Sequence, residues 1–353
     1  MNIYVHFPFC RSKCAYCALH SRTRHTEEER RAYVDDVAGS LGKLLDANRN
    51  SSVSTLYFGG GTPALCDLSP ILDRLKPTLE RSDGVEFTVE LNPLDATPGT
   101  LRKLKAGGVN RISMGVQSLD DAVLREMGRP HTSADAISAW RRIRDAGFRN
   151  AGIDLICGWP GTRSGNAPSD AWMRTLDAIP DIAPDHCSVY TLILEPDTRL
   201  AASVDDGRIT LPPDDIALTE LEAAECALSG AGLERYEISS FAKPGMECRH
   251  NLATWRGEDY IGIGEGACSR EGNAVSRVIF RLRLLKEGFS PDKAAMDFPE
   301  LAPRVEEWRR TLDDFVSEGL LTSATSNNSP ATTAYRLTKR GTEVCDTILA
   351  ELV

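Results

Sequence analysis

From residue 2 to about 194, short apolar, β-branched runs alternate with turns and segments of helical period, and this alternation restricts the fold more than any other feature of the chain. Strands are expected at 3–9, 55–58, 86–91, 111–116, 151–157 and 187–194. The first long helix is expected over about 26–47, with Thr26 and Glu29 as a capping box and Val34, Val37, Leu41 and Leu44 on one stripe facing the sheet. Further helices should stop at Gly107 and Gly147, where LKAGG and RDAGF read as glycine ends leading into the next strand. Strand–helix alternation on this scale means a parallel sheet, either open and doubly wound or a complete or partial barrel. Periodicity alone does not choose between them. In both, ligands bind at the carboxyl ends of the strands, so the residues there are the ones to interrogate.

Beyond Glu195 the alternation fades into the linker TRLAASVDDGRITLPPDD and an amphipathic helix to about Gly230. Residues 236–269 are rich in glycine and in polar and aromatic residues, and read as ordered loops with one or two strands. After about Val275 come two or three helices, a polar turn at SATSNNSPATT, the strand-like AYRLT and a final helix, together a small, mainly helical, winged-helix-like module. We read it as a packing or interaction appendage. Three domains are expected: 1–200, 201–270 and 271–353. A formal net charge of -10 argues against a broad nucleic-acid or anionic-lipid footprint. Neither a bilayer-length apolar stretch nor an export signal is read, so a cytoplasmic protein with reduced thiols is expected.

The first strand runs into C-x3-C-x2-C, formed by Cys10, Cys14 and Cys17. Random placement of the ten cysteines would give this spacing in about 1% of chains. Three thiolates on one short loop can reach three corners of an iron–sulfur cubane and leave the fourth iron open. A tetrahedral zinc site with His20 as fourth ligand is the competing inorganic reading. Cys66, Cys157, Cys187, Cys226 and Cys345 read as small core residues, while Cys248 and Cys268 lie in the motif-rich segment.

The later strand ends are polar and glycine-rich. Gly60, Gly61 and Thr62 follow the second strand, where missing side chains let backbone groups approach a small polar ligand. Glu90 ends the third strand, Gln117 the fourth, and Asp154 lies on the fifth ahead of GWPG; Arg129 follows the fourth. Carboxylates suit ribose hydroxyls or an ammonium, an amide both donates and accepts, and a guanidinium pairs with a carboxylate. Together these groups describe a pocket for an adenosyl amino acid.

The blocks YVHFPFCRSKCAYC, LYFGGGTP, VELNP, GVNRISMGVQS, MGRPHT and IDLICGWPG resemble the radical S-adenosylmethionine (SAM) superfamily, in its branch of oxygen-independent coproporphyrinogen III oxidases and heme chaperones, over roughly residues 2–270. The resemblance implies a partial (β/α)6 barrel of TIM type, a [4Fe-4S] cluster on Cys10, Cys14 and Cys17, and SAM on its open iron. Tyr4 and Tyr16 would lie beside cluster and SAM; Gly60, Gly61 and Thr62 would face the methionine part; Glu90, Gln117, Arg129 and Asp154 would complete the pocket.

Within the branch, the oxidase carries a further cysteine two positions after the third ligand and an N-terminal extension; Leu19 stands at that position here, and no extension is expected. The segment YEISSFAKPGMECRHNLATWRGEDYIGIG instead resembles the chaperones, whose His-Asn-x-x-Tyr-Trp motif is associated with heme. It reads His250-Asn251-Leu252-Ala253-Thr254-Trp255, with Thr254 in the tyrosine position and Cys268 where the chaperones have histidine. His250 would ligate heme iron and Trp255 cover a porphyrin face. The expected function is therefore to bind heme beside a SAM-ligated cluster and pass it to heme-accepting proteins such as respiratory enzymes. The alternative is radical oxidative decarboxylation of coproporphyrinogen III. The resemblance leaves open whether SAM is turned over, and it admits a homodimer and peripheral membrane association through partners.

Overall fold

The computed structural model describes residues 1–161, 167–270, 273–325 and 332–353, so residues 326–331 of the expected polar turn lie outside the described residues. The six strands are β1 (Asn2–Phe7), β2 (Thr55–Gly60), β3 (Glu86–Leu91), β4 (Arg111–Gln117), β5 (Asn150–Cys157) and β6 (His186–Thr191). Between them run α1 (Glu27–Ala47), α2 (Ser69–Arg81), α3 (Pro98–Ala106), α4 (Asp121–Glu126) with α5 (Ser133–Asp145), and α6 (Asp170–Asp177) with α7 (Ile179–Ile182). Each strand pairs in parallel with the next one in sequence. A doubly wound sheet would reverse this order at a switch point. Without a reversal, right-handed crossovers place all the helices on one side, which is the winding of a barrel.

The two faces of the strands confirm that winding. Residues turned toward the helices are apolar and fully buried, among them Ile3, Val5, Phe7, Phe58, Phe87 and Ile153. The alternate positions are polar: Asn2, Tyr4 and His6 on β1, Glu86, Thr88 and Glu90 on β3, Arg111 and Ser113 on β4. An open sheet covered on both sides would be apolar on both. Here one face belongs to the core and the other is polar.

β1 is shorter than expected because Pro8 has no N–H to continue the ladder; Phe9 makes only an isolated bridge with Arg22. α1 carries the expected capping box, Thr26 accepting from the Glu29 N–H and the Glu29 carboxylate from the Thr26 N–H. Its buried stripe is Val34, Val37, Leu41 and Leu45, with Leu44 only partly covered. After LKAG it is Gly108, at φ +90°, that takes the left-handed turn, and after RDA it is Gly147, at φ +82°.

The linker contains α8 (Arg199–Asp205), followed by α9 (Asp214–Gly230). Short strands β7 (Glu234–Arg235) and β8 (Ser240–Ala242) follow β6 in the sheet order, and β9 (Tyr260–Ile263) pairs in parallel with β1 at the other edge. The chain divides into two compact units, the first made of Met1–Glu234, Phe241–Met246 and Tyr260–Ser269. The second contains Arg235–Ser240, Glu247–Asp259 and Arg270–Val353. Residues 201–270, expected as a linker helix and heme-motif segment packed on the barrel, are divided between the two units, and their strand β9 pairs with β1.

The second unit holds α10 (Arg249–Arg256), α11 (Ala274–Ile279), α12 (Pro291–Asp297), α13 (Val305–Ser317), α14 (Lys339–Glu343) and α15 (Cys345–Ala350). Its hairpin pairs β10 (Leu321–Thr325) with β11 (Thr333–Leu337). A separate apolar core contains Phe289, Trp308, Leu312 and Ile348.

Candidate functional site

The loop after β1 that carries the three cysteines is held from many sides. Arg11 grips the buried Asp95 carboxylate at 2.6 Å, the Ala15 N–H donates to Met127 O at 2.8 Å, and Leu200 N–H donates to Ala15 O at 2.8 Å. At its far end Glu265, just past β9, takes hydrogen bonds from His20 (2.9 Å) and Arg22 (2.7 Å). His20 is therefore engaged with a carboxylate, which counts against its service as a fourth zinc ligand. Cys10, Cys14 and Cys17 are free thiols, each half-buried. Burial pushes the Cys10 and Cys17 thiols up, and among the described residues no three Cys, His, Asp or Glu side chains converge as they would around a metal ion. Of the five cysteines expected in the core, Cys66, Cys157, Cys187 and Cys345 are buried and Cys226 is exposed on α9; in the motif-rich segment Cys248 is buried and Cys268 exposed.

Around this loop the strand ends form a cradle. A Cβ at Gly61 would meet Phe7 O and Phe9 O at 2.7 Å and Cys10 Sγ at 3.0 Å, so only glycine fits there. Gly60 stands at φ +100°, where a Cβ would strike the His6 ring at 2.4 Å. His6 gives its Nε2 to His20 O at 2.8 Å. A carbonyl only accepts, so that nitrogen carries the proton, and Nδ1 accepts from the Tyr4 hydroxyl at 3.1 Å. Burial lowers the His6 pKa, which keeps the ring in this neutral form. Tyr4 in turn lies against Tyr57, ring centroids 6.1 Å apart.

Tyr57 donates to Glu90 Oε1 at 2.6 Å and Gly60 N–H to Glu90 Oε2 at 3.2 Å. Burial nevertheless pushes the Glu90 carboxyl up to about 7, with the nearby Asp154 charge adding to it. Asp154 is also raised by burial, against hydrogen bonds from Ser113 at 3.2 Å and from Ser188. Gln117 follows a register shift in β4 and stands at φ +69°, a left-handed conformation that costs a non-glycine residue about 1–2 kcal/mol. Tyr16 packs edge-on against Trp159 with centroids 6.1 Å apart, and burial raises its pKa.

Arg129 reaches back to the cysteine loop. Its guanidinium donates to Cys14 Sγ at 3.4 Å, to Gly115 O at 2.6 Å and to Asn92 Oδ1, while its buried Nε has no partner among the described residues. Asn92 donates to Thr62 Oγ1 at 2.7 Å, and Thr62 lies 4.0 Å from Cys10 Sγ. The sequence reading missed Asn92 as a site residue, although it stands in the quoted block VELNP, two positions after Glu90 on the same polar side of the chain.

The barrel thus gathers Tyr4, Cys10, Cys14, Cys17, Tyr16, Gly60, Gly61, Thr62, Glu90, Gln117, Arg129 and Asp154 in the first unit. His250 and Trp255 belong to the second, on α10, a helix that the sequence reading takes for loop. Only His250 and Ala253 of α10 are buried, too few for a visible apolar stripe, and its end is set by Gly257 at φ +84°. His250 is 6% exposed. The Trp255 ring carries the Arg283 guanidinium 4.5 Å from its centroid, with its own buried Nε1 unpartnered among the described residues.

The sequence profile of the radical SAM superfamily matches residues 4–164. Over 274 residues the chain is 35% identical to heme chaperone HemW of Bacillus subtilis, covering 75% of this chain and 70% of that one. The chain belongs to the HemW-like branch of the radical SAM superfamily. HemW of Escherichia coli is 34% identical, covering 76% of this chain and 69% of its own. The solved structure of coproporphyrinogen III oxidase HemN from Escherichia coli shares the fold with a TM-score of 0.77 at 20% identity, covering 99% of this chain and 89% of that one. As in the rest of the superfamily, the cofactors are a [4Fe-4S] cluster and SAM. The chemistry of the residues suits them, with three thiols on one loop, a glycine cradle against Cys10 and an orphaned guanidinium N–H on Arg129, although these side chains do not converge as a metal site among the described residues.

Proposed function

We propose that this protein is a heme chaperone: it binds heme, keeps a SAM-ligated [4Fe-4S] cluster on Cys10, Cys14 and Cys17, and hands heme to acceptor proteins such as respiratory enzymes. The observation that carries this reading is the likeness to HemW over three-quarters of the chain, which includes the segment around His250. When bound, the cluster and SAM supply one-electron reduction at a sulfonium centre. The protein's own residues do the rest. Tyr4, Gly60, Gly61 and Thr62 receive the methionine end; Glu90 and Asp154 offer acceptors to hydroxyl or ammonium groups, and Gln117 offers both donor and acceptor. Arg129 keeps one N–H for a carboxylate while holding Cys14.

His250 is the heme ligand in this reading, with Trp255 against the macrocycle. Because His250 is 6% exposed, iron ligation requires α10 to let its side chain out. The exposed Cys268, in the loop after β9, is the alternative soft ligand. The protein is expected to act in the cytoplasm, and no described helix is long and apolar enough to cross a membrane.

Anaerobic titration of the cluster-loaded protein with hemin tests the proposal. A saturable Soret shift that is weakened in His250→Ala supports it. No Soret change with the cluster intact, together with conversion of coproporphyrinogen III to protoporphyrinogen IX, overturns it in favour of the oxidase.

A further inference from the structure

We infer that Asn92 is a positioning residue that holds the Arg129 guanidinium donating to Cys14 and sets the direction of the Thr62 hydrogen bond to Cys10, and through them the reduction potential of the cluster. One donor in this chain of contacts cannot be reversed. A guanidinium has N–H groups and no acceptor, so the Asn92 atom facing Arg129 is its oxygen. The amide nitrogen of Asn92 is thereby turned to Thr62 and donates to Oγ1 at 2.7 Å. With that lone pair engaged, the Thr62 O–H is left to point at its other neighbour, Cys10 Sγ at 4.0 Å.

One side chain thus connects a cation at Cys14 Sγ, 3.4 Å away, with a hydroxyl at Cys10 Sγ. Its own position is fixed by β3, which it follows directly, and by the short helical turn Pro93–Asp95, whose Asp95 holds Arg11 of the same loop. Donors to ligand sulfur stabilise the reduced, more negative cluster and raise its potential. This inference rests on the cluster reading.

The substitutions that separate the links are nearly isosteric. In Asn92→Asp the carboxylate still accepts from Arg129, but it also accepts from Thr62, so the hydroxyl proton turns away from Cys10. Thr62→Val removes that proton directly, and Thr62→Ser keeps it. The midpoint potential of the reconstituted [4Fe-4S] couple is read by EPR-monitored titration without SAM, with iron content and thermal stability checked on each variant.

Asn92→Asp and Thr62→Val should both shift the midpoint to more negative values, and Thr62→Ser should stay at wild type. In the double variant Thr62→Val should add nothing to Asn92→Asp, because the donor is already lost; strictly additive shifts would mean that Asn92 does not act through Thr62. Wild-type potentials in the single variants overturn the inference. If Asn92→Asp does not fold, an unshifted Thr62→Val overturns it alone. Failure of the wild type to assemble a cluster would instead refute the cluster reading.

Discussion

Glu90, an acceptor in the proposed SAM pocket, sits on the polar side of β3 with its carboxyl pushed up to about 7, and it accepts from Tyr57 and Gly60. Its folded-state value lies above the ordinary 4.5 of a glutamate, so folding favours the protonated form. That contribution to stability is fully present below about pH 4.5 and is lost as the pH rises through about 7. Glu90→Gln is neutral throughout. Thermal unfolding should therefore show the variant gaining on the wild type between about pH 5 and about pH 8; a constant difference would contradict the assignment. Gln117 makes the complementary case. At φ +69° its backbone is strained, so Gln117→Gly should leave the melting temperature equal or higher while SAM affinity falls. A variant that melts lower and binds SAM normally would place Gln117 in the scaffold rather than in the pocket.

Among the elements, the strands were the most legible because each carries one unbroken apolar face. β3 has the expected bounds, and the others differ by one to three residues at an end. The capping box of α1 was equally legible, since Thr26 and Glu29 satisfy each other's backbone groups; Thr26→Ala should cost about 1 kcal/mol in denaturant unfolding. What stayed hidden has a physical cause. α10 is short and lacks an apolar stripe, and its N-cap, Cys248, makes no side-chain capping bond. The Arg129–Asn92–Thr62 chain joins residues 37 and 30 positions apart, a proximity that only the parallel order of β2, β3 and β4 creates. The sequence offers donor types at the strand ends, where Arg129 reads as a partner for a ligand carboxylate; its hold on Cys14 exists only in the folded chain.

For the whole molecule, the alternation left barrel and doubly wound sheet undecided, and sequential strand order with a polar inner face decides it. The second unit rests on its own core, where Trp308 packs edge-on against Phe289 at 5.4 Å and donates to Leu352 O at 2.9 Å. Trp308→Ala should destabilise that unit by about 3–5 kcal/mol, seen as earlier unfolding by intrinsic fluorescence.

Every role proposed for the barrel residues depends on an iron cluster with one site left for SAM. EPR of the anaerobically reconstituted, dithionite-reduced protein, recorded with and without SAM, tests this most directly. A [4Fe-4S]+ spectrum that changes on adding SAM and disappears in Cys14→Ala is expected; a spectrum indifferent to SAM, or four-coordinate zinc by X-ray absorption, would rule out the open-iron cluster.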